Sequence, residues 1–135
     1  MLTEPTIRLT HNAAMRMLEA AIAKADQIGQ AQCIVIVDAS GETLASLRMS
    51  GAKFLSLKSA RAKARTAASI GAPSQDIPEA VGPAISAATE GHMTRLAGGF
   101  PIVIDDQVVG GIGIGSGSPD QDCDVAQAAL AALSE

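Results

Sequence analysis

The chain has 135 residues, is 47% hydrophobic but only 1% aromatic, and carries a net charge of −4. That length suits a single domain spanning 1–135 with a real core, and leaves no room for a second. The acidic balance, with no basic stripe interleaved with aromatics, argues against nucleic acid as a partner, and no apolar run approaches a membrane span. Met1-Leu-Thr-Glu-Pro5 lacks the charged and apolar regions of a signal peptide, so a cytoplasmic location is expected. Alanine, glycine and aliphatics supply the apolar character, which leaves surface to spare and favours a homo-oligomer, a dimer or larger. Two cysteines make neither a disulfide framework nor a metal site. Cys33 reads as a buried thiol. Cys123 stands near a helix start, where Asp122 and Asp124 push its pKa up.

In chain order, Thr10 caps a first helix whose apolar stripe runs Ala14, Leu18, Ile22 and Ala25, with Gly29 just past its end. Cys33-Ile-Val-Ile-Val37 is apolar on both faces, as a central strand covered above and below must be. Asp38-Ala-Ser-Gly41 turns the chain into an antiparallel partner over 42–49. A helix follows over about 55–70. At 100° per residue, Lys58, Arg61 and Arg65 form a solvated basic face, and Leu57, Ala60, Ala64, Ala67 and Ala68 form a thin packing face. Ser59, Lys63, Thr66 and Ile70 lie on a polar edge between them. Residues 71–91 are broken by Pro73, Pro78 and Pro83 into short pieces, a stretch long enough to wall a pocket. Glu90, His92 and Arg95 sit near its end. Gly98-Gly99 precedes a strand at 100–104, and Asp105-Asp106 makes a tight hairpin. The order α-β-β-α-(short α)-β-β-α predicts an α+β fold: an antiparallel sheet with helices packed against it.

The last strand is the most distinctive. Gly111, Gly113, Gly115 and Gly117 alternate with Ile112 and Ile114, so one face is apolar and the other has no side chains. Glycine within a strand marks a close approach by a ligand or another backbone, and the bare face is expected to floor a binding site. Ser118, Pro119 and Gln121 then give an N-cap, a first-turn proline and capping-box spacing. A dinucleotide reading fails, because the third glycine of G-x-G-x-x-G falls on serine and no strand follows. The free N–H groups at Gly115-Ser116-Gly117 suit an anionic oxygen. Arg48 and Lys63 are the cations the chain places best to join it.

Six segments taken together resemble a known family: Asp38-x-x-Gly41, Arg48-Met-x-Gly-Ala52, Lys63-Ala-Arg-Thr-Ala67, Gly98-Gly-Phe-Pro-Ile102, Val109-Gly-Gly-Ile-Gly113, and Gly115-Ser-Gly117 with Gln121-Asp-x-Asp-Val-Ala126. They are similar to the GlcG/HbpS-like family, a haem-degrading or haem-binding domain also found at the C-terminus of PduO-type cobalamin adenosyltransferases. The resemblance implies a profilin-like α+β domain with a five-stranded antiparallel sheet, assembled as an oligomer, and for some members haem in or near a pocket. Three functions follow. The first is haem or tetrapyrrole binding, with or without haem degradation, the propionates meeting Arg48, Lys63 and the Gly115–Gly117 amides. The second is a catabolic enzyme (a tautomerase, deaminase or hydrolase of a ring-cleavage product) acting on a small carboxylate, with Lys63, His92 or Asp122 moving a proton. The third is a non-catalytic structural or regulatory oligomer. The candidate catalytic residues are therefore Lys63, His92 and Asp122. The candidate ligand-binding residues are Arg48, Ser59, Thr66, Gly98, Gly99, Gly115, Ser116 and Gly117. The partner is a small anionic ligand or haem, and no metal ligand set is expected.

Overall fold

A computed structural model describes residues 1–134. Helix α1 (His11–Ile28) begins where the Thr10 hydroxyl accepts from Ala13 N–H at 3.2 Å and ends at Gly29 in the left-handed region, φ 70°. Strands β1 (Cys33–Asp38) and β2 (Thr43–Arg48) form the first hairpin, and α2 (Ser56–Ile70) follows. Two 3-10 turns at 74–76 and 79–81 lead into the short α3 (Gly82–Ala88). Strands β3 (Gly99–Ile104) and β4 (Gln107–Gly115) form the second hairpin through Asp105 and Asp106, both at positive φ as the primed turn requires. Helix α4 (Pro119–Ala131) follows and runs into a 3-10 turn at 132–134. Its Ser118–Gln121 capping box is formed in both directions, at 3.2 and 2.9 Å.

The sheet has the order β2-β1-β4-β3, every neighbouring pair antiparallel. The described residues therefore form a four-stranded sheet, where the resemblance implies five. The stretch between α2 and β3 supplies no strand because Pro73, Pro78 and Pro83 interrupt it, and proline cannot donate to a ladder. The α+β class and the alternation of helices with hairpins hold.

Register sorts the two faces. Directly opposite residues share a face, so Cys33, Val35 and Val37 stand with Gly115, Gly113 and Gly111. Ile34 and Ile36 stand with Ile114 and Ile112 on the other face, where α1 and α4 bury them with Met17, Ala21, Val125 and Ala129. Helix α2 covers the glycine face, its Ala60, Ala64 and Ala68 packed with Cys33, Val35 and Val37. The bare face of β4 is thus not the floor of a ligand site over most of its length. A Cβ on Gly113 would run into the Ala60 carbonyl and lie 2.7 Å from Ala64 N, and one on Gly111 would meet the Ala64 carbonyl. The close approach that the glycines signalled is that of a helix backbone.

Candidate functional site

The thin packing of α2 brings its polar edge to the end of β4. There Lys63 is buried, 5% exposed, and its Nζ donates to the Ile114 carbonyl at 2.7 Å and to Asp122 Oδ2 at 3.0 Å. Asp122, 3% exposed on the first turn of α4, accepts at Oδ1 from Gly117 N–H at 3.0 Å. The ion pair thus ties α2, β4 and α4 together around the strand end. Two glycines make room for it. A Cβ on Gly98, at φ 116°, would lie 3.2 Å from Lys63 Nζ and 2.9 Å from Asp122 Cβ, and a Cβ on Gly99 would strike the Lys63 carbonyl.

Lys63 and Asp122 line a polar cleft of about 290 Å³ together with Lys53, Ser56, Ser59, Ser116 and Gly117. Ser116 holds a positive φ of 90°, and its hydroxyl accepts from Lys53 N–H at 2.9 Å. Behind Gly117 lies the fully buried Gln32. Neither of its amide atoms has a hydrogen-bond partner among the described residues, whereas buried polar groups normally have one. Its Nε2 and Asp122 Oδ1 both stand within 3 Å of the point where a Gly117 Cβ would be.

A second cleft, of about 410 Å³, adjoins the first through Ser59 and Leu96. It is apolar: Leu55, Ala62, Met93 and Leu96 line it, with Lys58 at its rim. Leu55 and Leu96 are 68% and 55% exposed, and Phe54, which precedes Leu55 in the chain, is 69% exposed. Its outer wall, residues 93–96, hangs on α2 and the 3-10 turns. Thr94 N–H donates to Thr66 Oγ1 at 2.9 Å, and Ser74 Oγ donates to the Leu96 carbonyl at 2.6 Å while accepting from Gly99 N–H at 3.0 Å.

The structure therefore gathers Lys63, Asp122, Ser59, Ser116 and Gly117, with Gly98 and Gly99 fitted against the ion pair. Gly115 is buried under the start of α2, where an added Cβ would meet the Ser56 carbonyl at 2.9 Å. Thr66 bonds the Ala62 carbonyl and Thr94 N–H, so it braces the wall from inside. Arg48 stands on the α2 side of the sheet, opposite Cys33, yet is exposed and not among the residues lining either cleft. His92 is exposed and lines a separate basic cleft with Arg61 and Arg65. Lys53, Leu55, Met93, Leu96, Ser74 and Gln32 were not singled out from sequence. Gln32 alone carries a local signal, an amide set directly against an unbroken apolar strand. Burial raises the thiol pKa of both Cys33 and Cys123, and the Asp122 carboxylate adds to the rise at each, whereas the Arg48 charge lowers that of Cys33.

A small α+β protein with a helix laid on a glycine-bare sheet face and clefts opening along that helix is the class these features define. Residues 9–131 match the model of the family described as haem degrading protein HbpS-like, and the chain belongs to that family. It is 30% identical over 135 residues to the corrinoid adenosyltransferase PduO of Citrobacter freundii, covering 96% of this chain but only 40% of that protein. A crystal structure of the Klebsiella pneumoniae protein ORFY matches with a TM-score of 0.93 at 30% identity, over 99% of this chain and 97% of that one. A crystal structure of a PduOC:heme complex matches with a TM-score of 0.87 at 30% identity, over 93% and 95% of the two chains.

Proposed function

We propose that the chain binds haem or a related tetrapyrrole, with the macrocycle against the apolar cleft beside α2. The observation that carries this reading is the cleft itself: about 410 Å³ lined by Leu55, Ala62, Met93 and Leu96, with Leu55 and Leu96 both more than half exposed. Contiguous exposed apolar surface of this kind marks an interaction site, and a porphyrin needs flat apolar walls, cations for its carboxylates and an iron ligand. Leu55, Met93 and Leu96 give apolar walls, Lys58 lines the same cleft and Lys53 the adjoining one, and the Met93 thioether is a lining group able to ligate iron. The haem complex of the PduOC relative supports the same ligand. Bound haem would supply redox chemistry at iron; the chain's own residues bind and orient it and keep water from one face. Lys63 is a poor propionate partner because Asp122 already neutralises it. Haem added to the protein should give a saturable Soret band with one site per chain. A titration with no such band at micromolar protein overturns the reading. Haem breakdown is its finer form, and predicts bleaching of that band in air with a reductant present.

The buried Lys63–Asp122 pair favours a second reading, an enzyme acting on a small carboxylate. Lys63 would hold the proton delivered to a carbonyl oxygen in the polar cleft, and Asp122 would hold Lys63 in place. His92 lies outside that cleft and has no part in it. Haem binding ranks first because the apolar cleft has no role in the alternative.

A further inference from the structure

The outward face of α2 reverses the charge of the molecule. No acidic residue occurs from Thr43 to Gln75, whereas the whole chain carries −4. Lys58, Arg61 and Arg65 line one cleft of about 290 Å³ on this face, with His92 and Glu90 on the opposite wall. Three permanent cations thus face one carboxylate. Among the described residues no salt bridge joins Lys58, Arg61 or Arg65 to an acid, so none of the three is consumed by an ion pair. Arg65 is held in place, its Nε donating to the Gly41 carbonyl at 3.0 Å. Glu90 and Gly91, both at positive φ, form the turn that sets His92 over the helix.

The three cations are spaced along the helix at about 4.5 and about 6 Å of axial rise. That suits a ligand presenting several oxygens to two or three cations at once, and arginine grips such groups with paired hydrogen bonds. We infer that this basic cleft is a site for a compact dianion: two neighbouring carboxylates, or a phosphate. It adjoins the apolar cleft through Lys58, Ala62 and Gly91. Two sources of the charge are therefore open, the propionates of a tetrapyrrole lying in that cleft or a free dicarboxylate or phosphate ester. The first rests on the haem reading and the second does not.

The test follows the His92 imidazole carbon–proton signals by NMR, with His11 at the start of α1 as an internal control. Inorganic phosphate and succinate are titrated at constant ionic strength into the wild type, Lys58→Gln and Arg61→Gln, and Lys24→Gln on the opposite helix layer serves as the charge-matched control. In parallel, haem and its dimethyl ester are titrated optically into the same proteins. A saturable shift of His92 but not His11, about tenfold weaker in Arg61→Gln and unchanged in Lys24→Gln, establishes the site for a free dianion. No such shift, but haem binding about tenfold tighter than its ester in the wild type and equal to it in Arg61→Gln, establishes the propionate source. A His92 shift with no haem binding keeps this site and removes the proposed function. Neither a His92 shift nor an ester effect overturns the inference. Arg61 is exposed, so its replacement leaves the fold intact.

Discussion

Lys63 and Asp122 set the polar site residue by residue, and their burial makes the pair sensitive. Removing one partner leaves an uncompensated buried charge, while replacing both with apolar groups is often neutral. Asp122→Asn should cost about 3–5 kcal/mol of stability, because the Lys63 ammonium loses its counter-charge while 5% exposed. The double change Lys63→Met with Asp122→Leu should recover most of that loss. Urea denaturation of the three proteins measures both; an Asp122→Asn variant within 1 kcal/mol (about the scale of an ordinary hydrogen bond) of wild type contradicts the role assigned to the pair. Sequence placed Lys63 on the polar edge between the basic and the packing face of its helix, a position that does not decide between solvent and core. Asp122 read as one of three candidate proton carriers, with nothing in the chain order to tie it to Lys63. Their pairing, 59 positions apart, has no local signature.

At the level of elements, the contact between α2 and β4 positions both clefts. Gly113 is its closest point, with the Ala60 carbonyl where a side chain would begin. Both obstructing groups are helix backbone, which cannot swing aside as a flexible side chain would. Gly113→Ala should therefore lower stability by about 1–3 kcal/mol through overpacking, and Gly113→Val by more. A Gly113→Ala protein with an unchanged denaturation midpoint would show that α2 is not seated there. The elements themselves were largely legible, because their signals are local: Thr10 and Ser118 as caps, Gly29 as a helix stop, the Asp105-Asp106 turn, and β1 apolar on both faces. What was not legible was the occupant of the glycine face. A bare strand announces a close neighbour without saying whether it is a ligand or a helix, and only tertiary packing decides that. The fifth strand came from the family resemblance rather than from a run of strand-forming residues, and the chain between α2 and β3 folds instead into two 3-10 turns and α3.

The whole molecule leaves much apolar surface exposed. Apart from the cleft rim, Ile70, Val81, Val103 and Val108 are each more than a third exposed, and β3 is an edge strand. Surface of this kind, on a chain this small, is expected to be covered by a second copy. Light scattering at micromolar concentration should give at least a dimer, and a monomeric mass across that range counts against self-association. Among the described residues no helix is long and apolar enough to cross a membrane, and no group of three metal-ligating side chains is present. The apolar cleft was invisible in the sequence because Leu55, Met93 and Leu96 are ordinary core residues by type, brought to the surface only by how the 93–96 segment folds back on α2. It is nevertheless the feature on which the proposed function stands. The most direct test titrates haem into the wild type and Leu96→Asp side by side, following the Soret band. Leu96 is over half exposed, so the variant should fold. The account predicts a saturable band for the wild type and binding weakened at least about tenfold in Leu96→Asp, since a carboxylate would face the macrocycle. Equal haem affinity in the two proteins would contradict it.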